Sequence, residues 1–309
     1  NRLDWLFAAG EMKEKFGEMN AFAEQISKED FRFIVVLGMG GSSLAPLLFS
    51  RHFGSPGNRW LIVIDTTDPS QILETARKIE IAKTLFIVST KSGGTIETIS
   101  LFKYFYAQLN RHYSSLKTKQ PAAGSHFVAI TDPGSGLVEL AEKHFFRRVF
   151  LNNPNIGGRY SALSYFGLLP ALLSGIEING FIESAEHASH LLQNERIGFE
   201  QNWPAALGLM IGQLAREKVD KLTLLTSPEI ATFGLWLEQL VAESLGKEGK
   251  GVLPLVDEPL AASENWGLDR FIVSIPCGQR GAEAVPSQAE RHIISQKNLP
   301  CFELHLNSK

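Results

Sequence analysis

The 309-residue chain has little cysteine, no long apolar run and no strong excess of charge of either sign. Its two cysteines, Cys277 and Cys301, are too few for a disulfide framework or a cysteine-based metal site, and they suit a reducing cytosol. A net charge of −3 gives no reason to expect nucleic acid or an acidic membrane as a partner. Apolar stretches are broken well short of the roughly 20 residues that a membrane span needs. These shortages predict a cytoplasmic protein that binds no metal, nucleic acid or membrane.

An initiating methionine is also missing, and the first residues, "NRLDWLFAAGEMKEKF", contain no apolar core of a signal peptide. The other end, "PCFELHLNSK", stops just after a strand-like run. We therefore expect a processed chain or a piece of a longer one. With 44% apolar and 20% charged residues the composition is ordinary for a globular protein, and the length allows two domains.

Short apolar runs alternate with helical patterns in the first half of the chain. Continuous runs such as "FIVVLG" are typical of parallel strands that helices cover on both faces. The pattern predicts helices from about Ser42 and over residues 95–112. Strands are predicted over residues 33–38, 60–65, 84–90, 126–132 and 147–151.

A mainly helical stretch precedes a second alternation of the same kind. This organisation predicts an α/β protein with two domains, 1–177 and 178–309, the second truncated at its C-terminus. The helical stretch covers 160–217, further helices are predicted over 228–247 and 286–297, and strands over 221–227, 251–256, 270–276 and 301–306.

The glycine-rich loop "GMGGSS" follows the first predicted strand and admits three interpretations. It can be a tight turn between a strand and a helix. It can be a dinucleotide fingerprint, since Asp65 ends the second strand, although Ser43 replaces the third glycine of that pattern. It can also hold a monophosphate through backbone amides and the hydroxyls of Ser42 and Ser43.

A second polar loop, "STKSGGTIET", follows the third predicted strand and precedes a long helix. Its hydroxyls and its amides at a helix start suit a dianionic phosphate, although a solvated polar turn has the same composition. In the common strand order 2-1-3-4-5 both loops flank the crevice where ligands of open parallel sheets bind. Two such loops at one crevice favour a single phosphate over a dinucleotide.

Two charged residues stand out further along the chain. Arg159 lies in "NIGGRYSALS" after two glycines, which suggests a backbone that approaches something closely; otherwise it is a surface salt-bridge partner. Glu243 lies in an otherwise apolar helix, where it either pairs with Lys247 on a solvated face or is semi-buried beside Val241 and Leu245. A fixed guanidinium stabilises an oxyanion, and a semi-buried carboxylate suits a general base.

These segments together resemble the glucose-6-phosphate isomerase (phosphoglucose isomerase) family. "GMGGSSLAP", "TKSGGTIET", "GGRYSALS", "NWPAAL" and "AESLGKEGKG" occur in the family's order between about residues 30 and 256. The chain is most similar to the isomerase part of bifunctional transaldolase/glucose-6-phosphate isomerases. The resemblance implies two sugar-isomerase domains, each a five-stranded parallel sheet between helices.

The resemblance also implies a set of site residues, with no cofactor and no metal. Glu243 matches the base that moves a proton between C1 and C2, and Arg159 matches the arginine beside the reacting carbons. The phosphate site corresponds to Gly41, Ser42, Thr90, Lys91, Ser92 and Thr95, and the substrate further corresponds to Gly40, Glu97 and Gly158.

Two family elements are not found in the sequence. No histidine of a "GxxxQH" motif, which helps to open the sugar ring, follows Glu243; His292 and His305 come later without that motif. The chain also stops at Lys309, before the family's C-terminal helix with its active-site lysine. Ring opening therefore has no assigned residue.

The resemblance implies a bacterial aldose–ketose isomerase of glycolysis and gluconeogenesis that interconverts glucose 6-phosphate and fructose 6-phosphate. It implies a homodimer, with a transaldolase domain possible upstream. One alternative is a sugar-phosphate-binding module, which needs the two phosphate loops but not Glu243. The other is a dinucleotide-binding enzyme that uses Gly38, Gly40 and Asp65.

Overall fold

A computed structural model describes residues 2–115, 123–193, 198, 202–259, 265–277 and 285–306. The chain divides into two compact units, Asn1–His190 and Leu191–Lys309. The domain limits expected from the sequence, 1–177 and 178–309, stay a prediction; the division by compactness falls after His190.

The first unit alternates strands and helices, as the sequence predicts. Its strands are β1 (Phe33–Gly38), β2 (Trp60–Ile64), β3 (Thr84–Ser89), β4 (Phe127–Thr131) and β5 (Arg148–Leu151). Its helices are α1 (Ala8–Ser27), α2 (Leu44–Phe53), α3 (Pro69–Lys78), α4 (Ile96–Ser114), α5 (Gly136–Lys143), α6 (Tyr165–Leu173) and α7 (Asn179–Leu192), the last of which extends just past His190.

The first sheet has the order β2-β1-β3-β4-β5, and all of its strand pairs are parallel. This confirms the predicted five-stranded sheet and its order. In the register between β1 and β3, Gly38 pairs with Ser89. Because each of these residues is the last of its strand, the two glycine-rich loops leave the sheet side by side.

Successive residues of the strands point to opposite faces of the sheet, and both faces are buried. Ile34 and Ile87 belong to a core with side chains of α1, α2 and α6. Val35 and Phe86 belong to a second core with side chains of α4 and α5. The continuous apolar runs in the sequence therefore reflect a sheet covered by helices on both sides.

Local signals fix several helix starts. Asp68 accepts a hydrogen bond from the backbone N–H of Gln71 at 2.9 Å, and Pro69 occupies the first turn of α3. Such a cap satisfies a backbone donor that the helix itself leaves unpaired. The helix predicted from Ser42 begins at Leu44, because a short 3-10 turn, Gly40–Ser42, comes first.

The second unit contains a smaller sheet than expected. Within the ranges given above its order is β7-β6-β8-β9, four parallel strands instead of five. Two strands are shorter than predicted, and beyond the last one Leu306 makes only an isolated bridge with Cys277. The strands are β6 (Lys221–Thr226), β7 (Leu253–Leu255), β8 (Arg270–Ile275) and β9 (Cys301–Glu303), and the helices are α8 (Trp203–Arg216), α9 (Ala231–Leu245) and α10 (Gln288–Gln296).

Two helices of the second unit, α8 and α9, bury little of their surface. No residue of α8 is buried, and Gly234 is the buried residue of α9. Phe233, Leu237 and Val241 of α9 pack as a stripe against the core of β6 and β8. In the described ranges, no helix combines the length and the apolar character required to cross a membrane.

Candidate active site

The first loop leaves β1 through a tight turn built on glycine. Gly40 has φ of 54°, in the left-handed region that favours glycine. The Ser43 hydroxyl is buried and donates to the Gly40 carbonyl at 2.9 Å. Ser42, two residues before the start of α2, is also buried, with 9% of its surface exposed. The Ser43 hydroxyl thus ties the turn to its own backbone.

The first loop is in direct contact with the segment that carries Arg159. A Cβ atom on Gly41 would lie 2.4 Å from the carbonyl oxygen of Gly158, so only glycine fits there. The Ser161 hydroxyl donates to the carbonyls of Gly41, at 3.2 Å, and Gly158, at 2.6 Å. The close backbone approach that the glycines before Arg159 suggest is thus between Gly41 and Gly158.

Arg159 is half-buried in a 3-10 helix, Gly158–Leu163. The next residue, Tyr160, stacks its ring on that of Trp5 with centroids 5.1 Å apart. The contacts before and after Arg159 therefore anchor its backbone on both sides.

The second loop is organised by hydroxyl groups. The Thr90 and Thr95 hydroxyls lie 2.8 Å apart, and the Ser92 hydroxyl accepts from the Gly94 N–H at 3.3 Å. Thr95 directly precedes α4, so the N–H groups of the first turn of that helix follow the loop. Such N–H groups favour an anion.

A hydrogen bond also joins the two loops to each other. The buried Ser89 hydroxyl donates to the Ser42 carbonyl at 3.1 Å. Together with the pairing of Gly38 and Ser89, it brings the predicted phosphate residues of the two loops to the same edge of the sheet. Glu97 lies nearby in the chain, exposed on the first turn of α4.

The ammonium group of Lys91 does not stand alone at this edge. It forms an ion pair with Asp132 and donates to the Pro154 carbonyl at 3.0 Å. Asp132 follows β4 in the segment "TDPGS", where the Thr131 and Ser135 hydroxyls lie 2.6 Å apart. Sequence reasoning missed this third polar loop, although its position after a predicted strand was the available signal.

Glu243 lies in the second unit, on α9, and of the two environments considered for it the structure shows the solvent-exposed one. The residue is exposed and accepts a hydrogen bond from the Gln239 amide at 2.9 Å. The buried stripe of α9 includes Val241, and a residue two positions further along a helix points to nearly the opposite side. The apolar neighbours in the sequence therefore do not surround the carboxylate.

A different part of the first unit holds an open cleft of about 560 Å³ at the amino ends of β1 and β2, where Arg32, Arg59 and Trp60 line it. Close to it, His126 is buried and contacts the Tyr113 hydroxyl and the Thr84 carbonyl. Burial lowers the pKa of His126, so that its ring is neutral at pH 7. Ligands of open parallel sheets bind at the opposite, carboxyl edge, where the hydroxyl-rich loops are.

Among the residues that the structure describes, no group of three or more His, Cys, Asp or Glu side chains could hold a metal ion.

Comparison with known proteins gives a consistent family. The family model for phosphoglucose isomerase matches residues 10–257. A glucose-6-phosphate isomerase of Desulfitobacterium hafniense is 33% identical over 256 residues, which cover 78% of this chain and 46% of the relative. The enzyme of Carboxydothermus hydrogenoformans is 29% identical over 76% of this chain and 51% of the relative. That of Methanocaldococcus jannaschii is 29% identical over 83% of this chain and 63% of the relative. The chain thus spans about half the length of these relatives.

Solved structures share the fold at lower identity. A hypothetical protein from Thermus thermophilus aligns with a TM-score of 0.83 at 21% identity, over 99% of this chain and 79% of the other. A glucose-6-phosphate isomerase from Chlamydia trachomatis aligns with a TM-score of 0.67 at 22% identity, over 92% and 58%. The family model covers most of the chain, and the motifs of both glycine-rich loops lie inside it. The chain belongs to the phosphoglucose isomerase family.

Proposed function

We propose that the chain is an aldose–ketose isomerase that interconverts glucose 6-phosphate and fructose 6-phosphate. The observation that carries the proposal is the pairing of Gly38 with Ser89, which sets two hydroxyl-rich loops side by side at the carboxyl edge of the sheet. Membership of the phosphoglucose isomerase family supplies the reaction type.

The phosphate group of the sugar binds in the first unit. A dianion needs several donors, and the two loops offer hydroxyls and backbone N–H groups at a helix start. Binding at the phosphate fixes the distant reacting carbons relative to the catalytic groups, which lowers the entropy cost of the reaction. The proposed phosphate ligands are Gly41, Ser42, Thr90, Lys91, Ser92 and Thr95, and Gly40, Glu97 and Gly158 contact the rest of the substrate.

The proposed chemistry is a proton transfer next to a carbonyl. Glu243 takes the proton from C2 of the open-chain aldose and returns it at C1, so no external oxidant or reductant is needed. Arg159 stabilises the negative charge that develops on the enediolate oxygen, for which its planar, permanently charged group is suited. These two roles rest on the resemblance to the family.

A coupled assay tests this function directly. Fructose 6-phosphate is supplied, and the glucose 6-phosphate formed is measured through its oxidation by a dehydrogenase. Thermal shift experiments with glucose 6-phosphate and with NAD separate a sugar-phosphate site from a dinucleotide site. Turnover with stabilisation by the sugar phosphate alone supports the proposal; stabilisation by NAD alone contradicts it.

The exposure of Glu243 favours one second candidate, a module that binds a sugar phosphate without converting it. Such a module requires the loops of the first unit but no proton acceptor on α9. Tight binding of glucose 6-phosphate with no turnover and no exchange of its C2 hydrogen supports this candidate over the isomerase.

The proposal extends to the assembly and location of the protein. A homodimer is supported by the large apolar side chains that α8 and α9 expose, among them Trp203 at 43% and Leu209 at 63%. A cytoplasmic location is supported by two free cysteines. A transaldolase fused upstream rests on the resemblance. Light scattering of the purified chain tests the dimer, and the mass of the natural gene product tests the fusion.

A further inference from the structure

Lys91 connects three loops at the carboxyl edge of the first sheet. The residue itself follows β3, its ammonium pairs with the carboxylate of Asp132 after β4, and it donates to the carbonyl of Pro154 after β5 at 3.0 Å. We call this set of contacts the Lys91 bridge. It ties the second glycine-rich loop, which carries four of the six proposed phosphate ligands, to the loops after β4 and β5.

The backbone of Lys91 is held by the same neighbours. Its carbonyl accepts from the Asp132 N–H at 3.2 Å and from the Thr131 hydroxyl at 3.3 Å. Main chain and side chain of Lys91 are therefore both fixed to the loop after β4. These contacts connect a change at Asp132 to the second phosphate loop.

The ion pair is largely shielded from water. The side chains of Lys91 and Asp132 are 18% and 17% exposed. The Oδ1 atom of Asp132 is buried and has no hydrogen-bond partner in the described part of the chain. Because a shielded carboxylate needs a compensating charge, Lys91 is the group that stabilises it, and the two side chains hold each other in place.

We propose that Asp132 is a positioning residue of the phosphate site, an inference that rests on the proposed function. Asp132 directs the Lys91 ammonium into the bridge, and the bridge holds the Thr90–Thr95 loop in the shape that presents its hydroxyl and N–H groups to the phosphate. Lys91 then belongs to the phosphate site through the backbone of its loop, and its ammonium stays in the bridge.

The opposite arrangement predicts the opposite sign. If the Lys91 ammonium left the bridge to contact the phosphate directly, Asp132 would compete with the phosphate for it. Removal of the Asp132 charge would then strengthen binding, whereas loss of a positioning residue weakens it. The sign of one affinity change therefore separates the two arrangements.

The experiment measures binding of inorganic phosphate and of glucose 6-phosphate by calorimetry to the parent chain and to Asp132→Asn, Lys91→Met and the double variant. We expect Asp132→Asn to weaken both ligands about tenfold, the typical weight of a hydrogen bond to a charged group. In the Lys91→Met background the same change should have almost no further effect, because the bridge is already lost. In the coupled assay KM should rise while kcat stays near the parent value.

Matched controls remove similar charges elsewhere in the first unit. Asp68→Asn changes the cap of α3, a place where asparagine caps as well as aspartate, and Lys103→Met changes an exposed residue of α4. Neither should alter phosphate affinity. Should Asp132→Asn not fold, Asp132→Glu takes its place: it keeps the charge at a longer reach and is expected to bind phosphate more weakly than the parent.

Tighter phosphate binding by Asp132→Asn would overturn the inference in favour of direct contact. A lower melting temperature with unchanged affinity would overturn it in favour of a purely structural ion pair. A parent chain that binds neither phosphate nor glucose 6-phosphate would overturn the proposed function and this inference with it.

Discussion

The two units differ in how firmly they hold the residues expected to act on the substrate. In the first unit both faces of the sheet are buried, and serine and threonine hydroxyls tie the candidate loops to each other and to nearby backbone. In the second unit α8 has no buried residue, and Glu243 of α9 is exposed.

This difference matches two physical demands. A phosphate site needs many donors held in one arrangement, because each donor that has to be ordered on binding lowers the affinity. A proton-transfer base needs one carboxylate within reach of one carbon. We therefore expect substitutions in the loops of the first unit to alter binding and stability, and substitution of Glu243 to alter turnover alone.

The largest effect is expected for Glu243→Gln. Glutamine keeps the shape and the hydrogen bond from Gln239 but accepts no proton, so kcat should fall by about 10²- to 10⁴-fold. Affinity for glucose 6-phosphate should remain within about twofold, since the phosphate loops lie in the other unit. Coupled kinetics and calorimetry measure the two quantities separately.

The control is Glu238→Gln, an exposed glutamate of the same helix. It should leave both quantities unchanged. A Glu243→Gln variant with the parent's turnover would exclude this residue as the base. A variant that loses affinity as much as turnover would show that Glu243 also contributes to substrate binding.

Arg159→Lys should give the next largest effect. Arg159 lies in the first unit, yet its proposed role is in turnover and not in phosphate binding. Lysine keeps the positive charge but not the planar group, so we expect kcat to fall about 10- to 100-fold, the size of effect that a lost charge-assisted hydrogen bond produces. Phosphate affinity should change less. Arg77→Lys, at an exposed position of α3, serves as the control. Equal losses of kcat and phosphate affinity would instead assign Arg159 to the binding loops.

Gly41→Ala should test how tightly the first unit's loops are packed. The added Cβ would lie 2.4 Å from the Gly158 carbonyl oxygen, so backbone has to move, at a cost of about 1–3 kcal/mol in the free energy of unfolding. Phosphate affinity should fall with it. Urea unfolding and calorimetry give both values.

Gly17→Ala is the matched control for that variant. Gly17 is an exposed residue within α1 with open space around it, so alanine should stabilise the chain by about 0.5–1 kcal/mol and leave binding alone. If Gly41→Ala proves as stable as the parent, the backbone at Gly41 and Gly158 can move apart without cost, and the loops are not tightly packed.

The smallest effect concerns pH and the buried ring of His126. Burial holds the pKa of His126 below its value of about 6.5 in an unfolded chain, so the unfolded state binds more protons. The free energy of unfolding should therefore fall as the pH drops from about 6.5 toward the folded-state pKa, and level off below it. Urea unfolding between pH 8 and pH 5 measures this slope.

His126→Gln should flatten the slope, whatever its effect on absolute stability. His187→Gln, an exposed residue of α7, should keep the parent's slope. A variant at His126 with the parent's slope would assign the pH dependence to other groups.

The sequence predicted the first unit well for physical reasons. In a strand, a continuous apolar run such as "FIVVLG" buries all of its side chains when helices cover both faces of the sheet. A short strand–helix alternation also leaves few possible strand orders. The two loops could be located because they follow strands. The glycines before Arg159 predicted that this backbone approaches another group closely. They did not identify Gly41 as that group, because Gly41 and Gly158 lie far apart in the chain.

The misses are of a different kind. The sequence left open whether Glu243 is exposed or semi-buried, because the face that a helix buries depends on the sheet against which it packs. Asp132 was overlooked because its position after a predicted strand is a weak signal, and its partner Lys91 lies far from it in the sequence. Strand ends such as Glu303 depend on pairing partners that the sequence does not identify.

The most direct test of the proposed isomerase is exchange of the C2 hydrogen of glucose 6-phosphate in D₂O, which NMR follows with the parent chain. The proposed isomerase should incorporate deuterium at C2 at a rate that saturates with substrate, falls when inorganic phosphate is added, and is lost in Glu243→Gln. No deuterium above the uncatalysed level, or exchange that inorganic phosphate does not inhibit, would contradict it.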